Sequence, residues 1–232
     1  MILNVTLKMI LRSWWRNKVF FLVSVASLAL GLACTNLLMT YFVHEHGLEG
    51  RNPDRDRMFF LRQDDPMTEG KRVAFAGAEI PPQLKQSYAE VENFLRLGKL
   101  DLLYCKVNEQ KVEGDFKMLS ADTTLTNFFD YRTEEGSLSQ VLCQPGKVAL
   151  SEACARRLFG GKQAVGKQVE AHFRFGEVRP YEVAAVLKKR EQSLLQFDML
   201  IAHDPDFFWG GLTLLKLTPG TDAGHLADKL NE

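Results

Sequence analysis

Apolar and polar positions divide the chain into three stretches of different period. In residues 1–18, Leu3, Leu7, Ile10, Leu11 and Trp14 recur at helical spacing, and Asn4, Lys8, Arg12 and Arg16 form the opposite stripe. That pattern predicts a short amphipathic helix lying on a lipid surface. From Val19 to Val43 no charged residue occurs. These 25 residues exceed the roughly 20 that span a bilayer, so an uncleaved transmembrane helix is expected. The run is longer than the apolar part of a signal peptide. Cys34 in Leu32–Cys34 is followed by further apolar residues rather than the polar linker of a lipidated cysteine.

Beyond residue 43 the period changes repeatedly. A strand is expected from Met58 to Arg62, after the Asn52-Pro53 turn. Pro81 and Pro82 open an expected helix whose stripe is Leu84, Tyr88, Val91 and Leu95. Strands are expected over 99–107 and 111–120, turning near Asn108-Glu109. A short helix in 123–132 should turn Phe128 and Phe129 inward. Lys147 to Leu150 reads as a strand. Ser151 caps the helix after it, with Glu152 suited to its first turn, and Gly160 ends it. Val169, Ala171, Phe173 and Phe175 alternate with polar residues, giving a half-buried strand. Gly176-Glu177 turns it into a partner from Tyr181 to Leu187. Two more strands (197–203 and 212–220) and a helix capped by Thr221 or Asp222 close the chain. The fold class is α+β: one N-terminal transmembrane helix, then a mixed α/β extracytoplasmic domain in which two subdomains are expected.

Charge changes the picture through its distribution. The totals balance at 29 basic and 29 acidic residues, which gives no reason to expect nucleic acid as a partner. Lys8, Arg12, Arg16 and Lys18 all precede the span, and no acid does; the rest of the chain therefore carries 25 basic against 29 acidic residues. The positive-inside rule puts the N-terminus in the cytoplasm and residues 44–232 outside. Arg12, Trp14, Trp15, Arg16 and Lys18 are the expected anchors at the inner interface. Within the span, Ser27, Gly31 and Thr35 share a face at four-residue spacing, and Asn36 lies beside it. Small residues let a second helix approach closely, which a lone anchor does not require.

Candidate chemistry is sparse. Residues 161–168, GKQAVGKQ, resemble the start of a phosphate-binding loop, but Gln168 replaces its hydroxyl residue and the expected order is helix then strand, the reverse of such a loop. His44 and His46 read as exposed residues past the span, and no zinc-ligand spacing occurs. Of Cys34, Cys105, Cys143 and Cys154, the last two could form a bridge, and buried free thiols are an equal alternative. Ser151 lacks a nucleophile elbow, and the charges of residues 53–57 fit a solvated turn. No catalytic, cofactor or metal residue is assigned, and no enzyme is expected.

The arrangement resembles the MacB/FtsX-type ABC transporter permease family, particularly its four-helix members. The residues that carry it are the basic start with Arg16-Asn17-Lys18 and the first span, then Asn52-Pro53-Asp54-Arg55, the segment Pro81 to Gly98, and residues 119–136. The pairings Leu150-Ser151-Glu152, Phe159-Gly160 and Gly166-Lys167 are the most specific, and residues 214–232 complete the match. The resemblance implies three parts: a cytoplasmic segment (1–18), an inner-membrane helix (19–43) and a MacB-like periplasmic core domain (44–232). It also implies a non-catalytic permease subunit, or its N-terminal part, since members continue with three further membrane helices. The implied partners are a cytoplasmic ABC ATPase, a second copy or related permease subunit, a periplasmic partner and membrane lipid. ATP hydrolysis by the ATPase would move the periplasmic domain for export, lipoprotein handling or signalling. The alternative is a single-span, membrane-anchored periplasmic binding or scaffold protein.

Overall fold

The structure, a computed structural model, describes residues 18–47, 52–64, 71–161, 163–188, 193, 195–204 and 210–231. The chain divides into two compact units, Met1–Leu48 and Glu49–Glu232. In the first, α1 runs Lys18–Gly47. Its stretch Lys18–Phe42 is long and apolar enough to cross a membrane. The amphipathic pattern of residues 1–17 lies outside the described residues.

The second unit is built on strands. In chain order these are β1 (Met58–Phe60), β2 (Gln63–Asp64), β3 (Arg72–Val73), β4 (Ala76–Gly77), β5 (Val91–Val107), β6 (Gln110–Glu113), β7 (Lys117–Ala121), β8 (Thr133–Gly136), β9 (Lys147–Ser151), β10 (Gln168–Phe173), β11 (Val178–Leu187), β12 (Met199–Ala202) and β13 (Gly210–Leu217). Five helices interrupt them: α2 (Ile80–Ser87), α3 (Leu125–Phe128), α4 (Leu138–Cys143), α5 (Glu152–Phe159) and α6 (Ala223–Leu230).

Six strands close a ring in the order β5-β10-β11-β9-β12-β7, because β7 pairs back onto β5. The β11–β9 and β12–β7 contacts are parallel and the others antiparallel. Alternate residues of every ring strand meet in one core, among them Cys105, Met118, Val148, Val169, Val183 and Met199, with α5 packed against it. The opposite face, including Leu97, Ala149, Ala185 and Leu200, is covered by Phe128 and Phe129 of the α3 region and by Leu138, Val141 and Leu142 of α4. The two expected subdomains thus share one sheet and one compact unit.

Strand β5 extends beyond the ring. Its first half pairs with β13, and β13 in turn pairs with β1 and β4. A third core, of Val91, Leu215, Leu217 and Leu226, holds α6 there, with Leu61, Leu84 and Tyr88 packed around it.

Local signals explain most boundaries. Asn108 and Glu109 both adopt positive φ, as a two-residue hairpin between twisted strands requires. Ser151 Oγ accepts the Cys154 N–H at 3.2 Å, and Gly160 ends α5 at φ 64°. Asp222 caps α6 through the N–H groups of Gly224 and His225.

Two expectations need correction. The stripe Leu84-Tyr88-Val91-Leu95 is not one helix: α2 ends at Ser87, and Val91, Leu95 and Leu97 are buried residues of β5. A four-residue spacing also fits period-2 positions, and pairing with β13 decided between them. Phe175 does not continue the alternation of β10. It sits in the turn to β11, 92% exposed, where Gly176 N–H donates to Phe173 O at 3.1 Å.

Candidate functional site

The segment that follows α1 in sequence is fastened to the last strand by an ionic clasp. Asn52 starts it: its side-chain oxygen accepts the Asp54 N–H at 3.0 Å, and its amide nitrogen donates to Phe128 O. This Asx turn aims Asp54 at Lys216 of β13 and at Arg57. Arg57 also binds Glu92 of β5 and donates to Leu217 O at 2.7 Å. Lys216 Nζ lies 3.8 Å from Glu92 and donates to Asn127 O at 3.4 Å. Its side chain is only 9% exposed. Two cations and two carboxylates therefore join the incoming segment, β5, β13 and the end of α3. Register supports the clasp, since Met58 pairs with Lys216. Hydrogen bonds from Lys216 and Arg57 hold the Asp54 carboxyl below the usual carboxylate range.

This corrects the solvated-turn reading of residues 53–57. Asp54 and Arg57 are structural anchors. Their partners, Glu92 and Lys216, lie 35 and 162 residues further on, respectively. A lone lysine inside the apolar run 212–217 was the available signal, because a buried cation must find an anion.

A second joint lies four residues along β5. Arg96 forks onto Asp122, with Nε to Oδ2 at 3.0 Å and Nη2 to Oδ1 at 2.8 Å. The Arg96 backbone N–H also donates to Asp122 Oδ2 at 2.8 Å. Arg96 Nη1 reaches Ala78 O at 3.0 Å, just before α2. Both side chains are largely buried, at 18% and 10% exposure. Burial and the nearby Arg96 hold His203 below the usual histidine range, opposed by Asp122 and Asp204.

Each joint pairs its charges internally. Among the described residues no group of three or more His, Cys, Asp or Glu is placed to hold a metal ion. The four cysteines are free; Cys143 is exposed and Cys154 buried, so the bridge considered for that pair is absent. Burial pushes the Cys105 thiol up to about 12 and the Cys154 thiol up as well, which leaves both unreactive. In residues 161–168, Gly166 N–H donates to Val183 O at 2.8 Å and the Lys167 ammonium stacks over Phe159 at 4.9 Å. That lysine is occupied in a turn between α5 and β10.

Ser27, Gly31 and Thr35 all fall on α1. Thr35 Oγ1 donates to Gly31 O at 2.9 Å, and a Cβ placed on Gly31 would meet no atom within 4 Å. Lys18 begins α1; Arg12, Trp14, Trp15 and Arg16 lie outside the described residues, and nothing is described for the side chains of His44 and His46.

Solved structures share this fold, three of them as follows. A domain of a permease protein from Porphyromonas gingivalis superposes with TM-score 0.62 at 18% identity, covering 77% of this chain and 83% of that one. The periplasmic region of MacB from Actinobacillus actinomycetemcomitans gives 0.54 at 11% identity, over 80% and 83%. The extracellular domain of the noncanonical ABC-type transporter YknZ from Gram-positive bacteria gives 0.52 at 16%, over 74% and 86%. No curated protein matches by sequence. The family model for the MacB-like periplasmic core domain matches residues 21–232, so the chain belongs to the family of MacB-like periplasmic core domains of ABC transporter permeases.

Proposed function

We propose that the chain is the non-catalytic permease subunit, or its N-terminal part, of a MacB/FtsX-type ABC transporter. Its N-terminus is cytoplasmic, α1 crosses the inner membrane, and residues 44–232 are periplasmic. A cytoplasmic ATPase hydrolyses ATP, and the permease carries that motion to the periplasmic domain for export, lipoprotein handling or signalling. One observation supports this most: the segment leaving α1 and the final strand lie side by side, locked by the Asp54-Arg57-Glu92-Lys216 clasp. A displacement delivered to residues 52–60 reaches β13 and α6 through ion pairs and backbone pairing. The domain then responds as one body, a two-state element biased from a distant subunit.

In this reading Ser27, Gly31 and Thr35 receive a helix of a second copy or of a related permease subunit, and Arg12, Trp14, Trp15, Arg16 and Lys18 anchor the inner interface. The test is ATP turnover by the reconstituted ATPase–permease complex in nanodiscs. Turnover should require the permease, and the paired variant Arg57→Gln, Lys216→Met should leave assembly intact while uncoupling turnover from the periplasmic side. Equal turnover without the permease sinks the proposal.

The competing reading is a single-span anchored binding or scaffold protein. It draws on the single candidate span among the described residues. Gly31→Leu separates the two: a lone anchor tolerates it, whereas a multi-helix assembly should dissociate.

A further inference from the structure

A second set of contacts leads from residues 52–57 into the ring, away from β13. Helix α3 has four residues, so its last carbonyls find no partner within the helix. Two side chains remote in sequence take two of them. Lys216 Nζ donates to Asn127 O at 3.4 Å, and Asn52 Nδ2 donates to Phe128 O. The Asn52 side-chain oxygen meanwhile accepts the Asp54 N–H at 3.0 Å. One amide thus holds its own segment with its acceptor and α3 with its donor.

Helix α3 is tied to the ring independently of Asn52. The Leu125 N–H donates to Asp122 O, just after β7, at 3.1 Å, and Thr124 Oγ1 donates to Phe94 O of β5 at 2.7 Å. Phe128 and Phe129 are fully buried against Leu97 of β5, Ala149 of β9, Ala185 of β11 and Leu200 of β12. One short element therefore touches most strands of the ring. A close-packed core has few voids to absorb a shift, so displacing α3 displaces the ring face beneath it.

Given the transporter reading above, we propose that Asn52 is a positioning residue for coupling: its bond to Phe128 O hands motion of residues 52–60 to the six-strand ring through α3. The clasp and β13 serve α6, and the asparagine serves the ring.

Asn52→Asp isolates the contact, since a carboxylate still accepts the Asp54 N–H but has no donor for Phe128 O. Hydrogen exchange on the full chain in nanodiscs gives the first test. At neutral pH the Asn127 and Phe129 amides, which close the α3 turns onto Thr124 O and Leu125 O, should exchange about threefold to tenfold faster in the variant. The Arg57 and Leu61 amides, bonded to Asp54 O and Thr213 O, should not respond. Unchanged α3 amides, or a uniform rise that includes Arg57 and Leu61, overturn the proposal. A protonated carboxyl regains a donor, so the difference from the wild-type chain should close as pH falls through the carboxylate range near about 4. A difference that persists there also overturns it. The second test is ATP turnover by the ATPase–permease complex. Asn52→Asp should lower the permease-dependent maximal rate and leave the KM for ATP unchanged. Wild-type stimulation by the variant overturns the role of Asn52 alone, whereas no stimulation by the wild-type chain sinks the transporter reading and this role with it.

Discussion

The Lys216 clasp and the Arg96–Asp122 fork join other segments to neighbouring positions on β5, by different electrostatic designs. In the clasp each carboxylate meets both cations, so losing one member leaves the others paired. The fork has one cation and one anion, and the anion also satisfies a backbone N–H. The clasp is redundant and part-exposed; the fork is exclusive and more buried on its acidic side. Redundancy makes an attachment durable, and exclusivity makes it breakable by a single event.

The largest effect should come from breaking the exclusive joint. Asp122→Ala leaves Arg96 and a backbone N–H without their acceptor, and should destabilise the domain by about 3–5 kcal/mol in urea unfolding followed by circular dichroism. Lys216→Met should cost clearly less in the same assay, since Arg57 still faces Asp54 and Glu92 and an apolar side chain suits the site. If Lys216→Met proved the more damaging, the contrast between the joints would be wrong.

Acid should separate them further. His203 is held below its ordinary 6.5 in the folded state, so the unfolded chain binds the proton more readily. The stability linked to this histidine is full above 6.5 and falls as pH drops through 6.5 towards the folded value. Asp54 is held below its ordinary 3.8, so its contribution is full above 3.8 and is lost only as pH falls through its lower folded value. A pH series of melting temperatures should show two separate declines, and His203→Gln should remove the upper one alone. The smallest change is a control outside both joints. Ser151→Ala deletes the α5 cap and should cost about 1 kcal/mol, with the acid response unaltered.

How much of this was legible in the sequence depended on range. The α5 cap and stop, the Asn108-Glu109 turn and the alternation of Val169, Ala171 and Phe173 were readable because each is settled within a few residues. Helix α4 gave no such signal: the Ser137 side chain makes no capping bond to the helix backbone, and its burial of Leu138, Val141 and Leu142 depends on the sheet beneath. The charges of residues 53–57 were visible, but their roles were not, because Glu92 and Lys216 are remote in the chain.

By itself the sequence determined an uncharged run long enough to span a bilayer, the basic residues before it, the local caps and turns, and the motifs that mark the family. These follow from composition and short-range backbone preference. Only the tertiary structure decided that residues 91–107 form one strand, that six strands close on themselves, and that two buried charges meet their partners. A strand's partner and a charge's counterion are chosen by which surfaces the whole chain can bury together, and no local window contains that choice.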